Sequence, residues 1–574
     1  MAEPKSSKNA TSCLIVLVVL VILFMAPVAL FWYLVRNLEG PPVSVESGSV
    51  LELDLAGVTG EGPAGVDFGP LFGGGAMSLW DLARTIDAAA EDDDVVAIRM
   101  VLRGSFLGWA TAEEVLAHLD AFRETGKPIY VLLEGDTIDD LTYFLATAAD
   151  KVWIAPATAA AINGLAVESP FFRGTLDKLH IVPEVIMMGN YKSAGEPYLN
   201  YEMSPYMRES IQAVLETTRR SFVDRVAARR ERDAAAVESA LQRTVLTARE
   251  VIEAGFADEI GYVDQVEAAL TEATGIDEYR GIDAGEYRSA RDPGGAGGSG
   301  DRLALVFGEG PVLTDAPPAS LPFLENRLLA GTRVAADIRE ATEDDSIKAI
   351  VFRVNSPGGS AVGSDVVRRA IEEARAAGKT VVVSMSDVAG SGGYWVAMAA
   401  DAIVAHPTTI TGSIGVVFTK FNFDPFLEWI GTRMERIETH PGADALGFGP
   451  LGAPEKERIL AWMEEVYHLF TGHVAAEREI DSARVEEIAQ GRIWSGSDAL
   501  EIGLVDRLGG LDEAFALAKE KAGLDPEKKY PLELFPRQRT IFETLFSSDW
   551  GTAVEALRGV RALAGGGPLG AAAR

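Results

Sequence analysis

Two stretches of this sequence have residue types suited to chemistry: Asn355-Ser356-Pro357-Gly358-Gly359-Ser360 and Ala389-Gly390-Ser391-Gly392-Gly393-Tyr394. A Pro-Gly-Gly turn has no β-carbons at its glycines, so a ligand can approach the backbone N–H groups closely, as an oxyanion site requires. A serine between glycines, after an apolar strand and before the helix-like YWVAMAA, has the setting of an exposed nucleophile. One such turn by itself reads equally as a plain glycine-rich strand-to-helix connection. Two of them, separated by a single βα unit, are more specific.

A nucleophilic serine needs a base. The histidines are His118, His180, His406, His440, His468 and His473. His406 beside Pro407 and His440 beside Pro441 read as surface loop residues. The set contains no HExxH or other close metal spacing, so neither a metal nor another cofactor is called for. Lysine is the other candidate, provided that burial lowers its pKa from an ordinary value of about 10.4. Lys192 follows the apolar run Val185-Ile186-Met187-Met188 and stands among Asn190, Tyr191, Ser193 and Ala194. Considered alone it is an ordinary surface lysine.

The elements that must position these residues occur twice. EDDDVVAI (91–98) resembles EDDSIKAI (343–350), and Gly126-Lys127 falls on Gly378-Lys379 at the same offset. AADKVWIAPATAAAING (148–164) lies over AADAIVAHPTTITGSIG (399–415), and 248–270 matches 496–517. Each copy alternates β-branched runs, suited to a buried parallel sheet, with stretches of helical apolar spacing. The expected fold is therefore α/β with crossover helices, in an N-terminal repeat over 48–288 and a C-terminal repeat over 301–540. The glycine-rich linker 292–300 joins them and a tail over 541–574 follows. Long helices are expected over 205–245 and 454–488.

The copies differ where chemistry is expected. Arg103-Gly104-Ser105-Phe106-Leu107-Gly108 replaces the Pro-Gly-Gly turn in the first copy, and Ile138-Asp139-Asp140-Leu141-Thr142-Tyr143 replaces the serine turn. The second copy has no lysine in the stretch corresponding to Lys192. One repeat has kept a base and the other a nucleophile.

Composition limits the partners. A net charge of −33 repels phosphate backbones, so nucleic acid is not an expected partner. The single cysteine, Cys13, rules out an internal disulfide framework. It lies in an uncharged, mostly apolar run over 13–35 that is long enough for a ~30 Å hydrocarbon layer. Trp32 and Tyr33 stand at its far end, where interfacial aromatics belong, and Lys5 and Lys8 precede it. An uncleaved transmembrane anchor is expected, with residues 1–12 in the cytoplasm and the bulk of the chain outside it.

At RVNSPGGS (353–360), AGSGGYW (389–395), TGSIGV (411–416) and NYKSAGEP (190–197) the sequence closely resembles the signal peptide peptidase A family, in its long two-repeat protease IV form. The resemblance extends from the anchor to about residue 540. It implies a serine endopeptidase with a Ser–Lys dyad in the inner (cytoplasmic) membrane, its bulk on the periplasmic side, degrading signal peptides and other apolar peptides. It also implies two tandem repeats of the Clp-protease/crotonase type and assembly into a homotetramer. Residue by residue, the nucleophile falls on Ser391 and the base on Lys192. The hydroxyl that orients the lysine falls on Ser413, and the oxyanion hole on Gly358 or Gly359 with Gly392. Gly390 departs from the alanine common at that place. Two other readings stand beside this one. An acyl-CoA-binding crotonase-like enzyme also holds an oxyanion with backbone N–H groups, but needs no dyad or anchor. A non-catalytic membrane scaffold would be a decayed peptidase, yet only the first copy has lost the motifs.

Overall fold

The computed structural model describes residues 44–63, 77–104, 107–291, 300–315 and 328–537. The segments expected as the cytoplasmic N-terminus (1–12), anchor (13–35) and tail (541–574) lie outside them, as does all of the linker 292–300 except Gly300. Among the described residues no helix is long and apolar enough to cross a membrane.

The N-terminal half contributes β1 (Ser49–Leu53), β2 (Val95–Leu102), β3 (Ile129–Leu133), β4 (Lys151–Ile154), β5 (Val182–Met188), β6 (Glu259–Ile260) and β7 (Gly281–Asp283). All but β5 form one parallel sheet in the order β7-β1-β2-β3-β4-β6. The C-terminal half contributes β8 (Arg302–Glu309), β9 (Ile347–Ser356), β10 (Thr380–Gly390), β11 (Ala402–Ala405), β12 (Ile410–Gly412), β13 (Val416–Asn422), β14 (Ile493–Ser495), β15 (Arg507–Leu508) and β16 (Leu532–Phe535). Its sheet repeats the same order as β16-β8-β9-β10-β11-β15, with β12 and β14 continuing from the far end of β10. Helices that bear on the site are α1 (Leu79–Glu91), α2 (Trp109–Glu124), α3 (Pro205–Arg229), α4 (Gly392–Ala397) and α5 (Ala453–Glu477).

Both sheets are covered on both faces, which is why their strands are nearly continuous apolar runs. Alternate residues enter different cores: Leu51, Ile98 and Val131 pack on one side of the first sheet, Val50, Ala97 and Leu132 on the other. In the second sheet Val306, Ile350 and Val383 separate in the same way from Leu305, Ala349 and Val382. Trp80 of α1 joins this last cluster, so the N-terminal half helps to cover the C-terminal sheet.

The halves also share a ribbon. β5 pairs antiparallel with β13 from Val182↔Asn422 to Met188↔Val416. It therefore carries the chain just after β5 toward the chain just before β13.

The two long helices expected over 205–245 and 454–488 are each broken. α3 stops at Arg229 and a second helix runs Ala234–Leu241; α5 stops at Glu477 and a second helix runs Ser482–Ile488. Glu231 and Glu479 take positive φ at the breaks. The cause is the same in both copies. Arg230 and Arg478 turn inward and pair with Asp258 and Asp506, each at 2.6 Å. Those aspartates in turn accept the backbone N–H of Val152 and Ile403.

Candidate active site

β10 ends at Gly390 and α4 begins at Gly392, so Ser391 alone makes the connection. It adopts φ 54° and ψ −116°, a strained conformation for a non-glycine residue, costing about 1–3 kcal/mol. Its own N–H donates to Gly412 O at 2.8 Å and its carbonyl accepts from Trp395 N at 2.9 Å. The two glycines that follow it are required by close packing. A Cβ at Gly392 would lie 2.6 Å from Ser364 Oγ, and one at Gly393 would lie 2.4 Å from Ser356 O.

Lys192 reaches this point from the other half. The turn after β5 lies against residues 490 and 491, with Tyr191 N–H donating to Gln490 O at 2.8 Å. A Cβ at Gly491 would sit 2.5 Å from Lys192 Cβ. The Lys192 side chain is only 5% exposed. Its Nζ stands 2.9 Å from Ser391 Oγ, 2.8 Å from Ser413 O and 3.0 Å from Ser413 Oγ. Burial pulls its pKa from 10.5 down to about 7. In its neutral form this amine can donate its two N–H groups to Ser413 O and Oγ and turn its lone pair to the Ser391 hydroxyl.

The glycine turn lies against the same connection. A Cβ at Gly358 would meet Gly392 N at 2.6 Å and Ser391 Cβ at 2.8 Å, and φ is +97° there. The three glycines differ in what their N–H groups do. Gly358 N–H already donates to Ser356 Oγ at 3.2 Å. Gly359 is exposed, and neither its N–H nor that of Gly392 meets an acceptor among the described residues. Gly359 and Gly392 therefore keep N–H groups without a partner among the described residues, next to the turn that Gly358 lets approach Ser391 closely.

The place aligned with Ser391 in the first copy holds Asp140. Its carboxylate accepts from Gly164 N at 3.1 Å and Asn163 N at 3.3 Å, and burial raises its pKa to about 6. Residues 105–106 of the corresponding turn are outside the described residues.

A set of buried charges beneath the site was missed in the sequence. Arg353, 1% exposed, pairs with Glu61 at 2.9 Å and Glu114 at 2.6 Å. Burial works to raise the Glu114 carboxyl, but Arg353 and His406 together hold it well below the usual carboxylate range. His406 is a correction: it is 4% exposed and its Nε2 lies 3.1 Å from Glu114, because α2 of the other half covers the loop. One signal pointed to the network, a charged Arg353 in the middle of the apolar strand KAIVFRVN. Asp87, His118 and Asp512 form a nearby group with metal-ligand atom spacing. Arg84 pairs with Asp87 there at 2.9 Å, so it reads as an ion-pair cluster.

Residues 121–277 and 373–525, one span in each half, match the family described as Peptidase family S49. "Protease 4" of Salmonella typhi is 32% identical over 527 residues, covering 88% of this chain and 82% of that one. The chloroplast "Serine protease SPPA" of Arabidopsis thaliana is 31% identical over 509 residues, covering 88% and 73%. Among solved structures, a ClpP1 mutant from Listeria monocytogenes overlaps 37% of this chain and 93% of its own, at 13% identity and TM-score 0.23, too low for any conclusion.

Proposed function

The chain belongs to peptidase family S49 and is a serine peptidase, and from that premise we propose that Ser391 is its nucleophile and Lys192 its general base. The observation that carries the reading is the 2.9 Å approach of a buried lysine amine to a strained serine hydroxyl. Neutral Lys192 takes the Ser391 Oγ proton as the oxygen attacks a peptide carbonyl carbon. The carbonyl oxygen becomes an oxyanion accepting from Gly359 N–H and Gly392 N–H, each such donor worth about 3–4 kcal/mol. Ser413 orients the amine throughout. The Lys192 ammonium then protonates the leaving amine, and the peptide C–N bond breaks. Lys192 next deprotonates a water that attacks the Ser391 ester, releasing the acid and restoring the serine.

The substrates we propose are signal peptides and other apolar peptides left in the membrane. In this reading residues 13–35 tether the enzyme to the inner membrane with its catalytic half on the periplasmic side, and four copies associate. Exposed Trp429, Ile430, Ile437 and Phe448, in the segment after β13, support self-association. A fluorophosphonate probe followed by peptide mapping tests the assignment. The expected adduct is on Ser391, absent in Ser391→Ala and formed far more slowly in Lys192→Ala. An adduct on another serine would overturn it.

A further inference from the structure

Between the glycine turn and the nucleophile, β9 and β10 fall out of step. Val354 pairs with Met385 but Ser356 pairs with Ala389, so Asn355 alone opposes three residues, Ser386, Asp387 and Val388. This bulge ends three positions before Ser391. A bulge gives up ladder hydrogen bonds and re-aims the strand beyond it, so its shape depends on other partners.

Some are local: Thr409 Oγ1 donates to Ser386 O at 2.8 Å, and β12 pairs at Val388↔Ile410. The N-terminal half supplies others. The Glu61 carboxylate is 4% exposed. It accepts from Ser386 Oγ in the bulge, from Asn355 Nδ2 at 2.7 Å and from Arg353 Nε at 2.9 Å. Asn355 Oδ1 accepts the Val388 N–H at 3.2 Å. That pair of bonds sets the amide one way round, its NH2 toward a carboxylate and its oxygen toward an N–H. Asp387, the remaining bulge residue, accepts from Thr111 N at 3.0 Å at the start of α2. Glu61 is anchored on its own side too, its carbonyl accepting from Trp80 N at 3.1 Å. None of these groups takes part in the proton transfers above.

We propose that Glu61 is a positioning residue for the peptidase reaction: through Asn355 and Ser386 it sets the bulge of β10, and with it the placement of Ser391 against the Gly358-Gly359 turn. The assignment rests on Ser391 as the nucleophile. It gives the N-terminal repeat a second part in the site besides supplying Lys192. Neutralising Arg353 is not the whole role of Glu61, because Glu114 also faces that guanidinium at 2.6 Å. Glu61→Gln therefore leaves the arginine a carboxylate partner while placing an NH2 against one of the three donors.

The test is a double-mutant cycle on hydrolysis of a synthetic apolar peptide by the full-length protein, reading kcat and KM separately. Glu61→Gln and Asn355→Ala are each expected to lower kcat by about 10- to 100-fold, the scale of a misplacement of roughly 1 Å, with KM within about twofold. The double variant is expected to lose at least about threefold less than the product of the two single losses, since Glu61 acts in part through that side chain and in part through Ser386. An unchanged kcat for Glu61→Gln, a change in KM alone, or effects that multiply would each overturn the proposal. If Glu61→Gln does not fold, Glu61→Asp decides the matter. Wild-type kcat overturns the proposal, and a lowered kcat at unchanged KM upholds it. Ser391→Ala runs in the same series; full activity there would refute the nucleophile assignment, a separate failure from that of Glu61.

Discussion

Replacing Lys192 by methionine is expected to stabilise the protein near neutral pH, by an amount that shrinks as the pH rises. The amine is buried, and burial lowers its pKa from 10.5 to about 7. Unfolding returns it to water, where it holds its proton up to about pH 10.4. Between those values the unfolded state binds one more proton than the folded state, so wild-type stability rises with pH by about 1.4 kcal/mol per unit. The penalty is complete at and below about pH 7, where 3.5 units amount to about 5 kcal/mol, and it is gone above about pH 10.5. Methionine does not titrate. Its lost contacts with Ser413 and Ser391 shift stability by a constant, which cancels when two pH values are compared. Urea unfolding of both proteins at pH 7, 8, 9 and 10 is the assay. The stability difference between variant and wild type is expected to fall by about 4 kcal/mol from pH 7 to pH 10. A difference that does not change with pH would mean that Lys192 is charged in the folded protein, and the base assignment would go with it.

The same pKa sets the activity profile: kcat/KM is expected to rise with pH through about 7, as Lys192 loses its proton, and to level off above. Gly358→Ala places a Cβ 2.6 Å from Gly392 N at a φ of +97°, so hydrolysis is expected to fall by at least about a hundredfold while circular dichroism stays unchanged. Ser413→Ala removes one acceptor from the Lys192 amine but leaves the Ser413 carbonyl at 2.8 Å, and a loss of about tenfold in kcat is expected. Arg353→Met leaves the Glu61 and Glu114 carboxylates buried without their guanidinium, and urea unfolding is expected to show a loss of about 3–5 kcal/mol.

The repeat was legible because both copies kept the residues that build it. The parallel strands were legible because burial on both faces leaves long β-branched runs such as VVAIRMVL and KAIVFRVN. The meeting of Lys192 with Ser391 was legible from the complement, a copy with a lysine and no serine turn beside a copy with the reverse, together with the family resemblance that places base and nucleophile on these two residues. Its vehicle, the β5–β13 ribbon, was not legible, since VPEVIMM and VVFTKFN carry no pairing signal across more than 200 residues of chain. Helix periodicity ran through Glu231 and Glu479 because the groups that draw Arg230 and Arg478 inward, Asp258 with Gly255 O and Asp506 with Gly503 O, lie well beyond the helices in sequence. His406 read as a surface residue from its neighbour Pro407, while the residue that buries it, Glu114, lies in the other repeat. Glu61 gave no local sign at all. A lone carboxylate in a loop looks solvated until the strand it braces is known.

Hydrolysis of a synthetic apolar signal peptide by the purified protein, with Ser391→Ala and Lys192→Ala beside the wild type, tests the central claim most directly. Cleavage by wild type and near-complete loss in both variants, each still folded, are the expected results. Full activity in Lys192→Ala would contradict the inter-repeat base, and full activity in Ser391→Ala would contradict the nucleophile on which the whole mechanism stands.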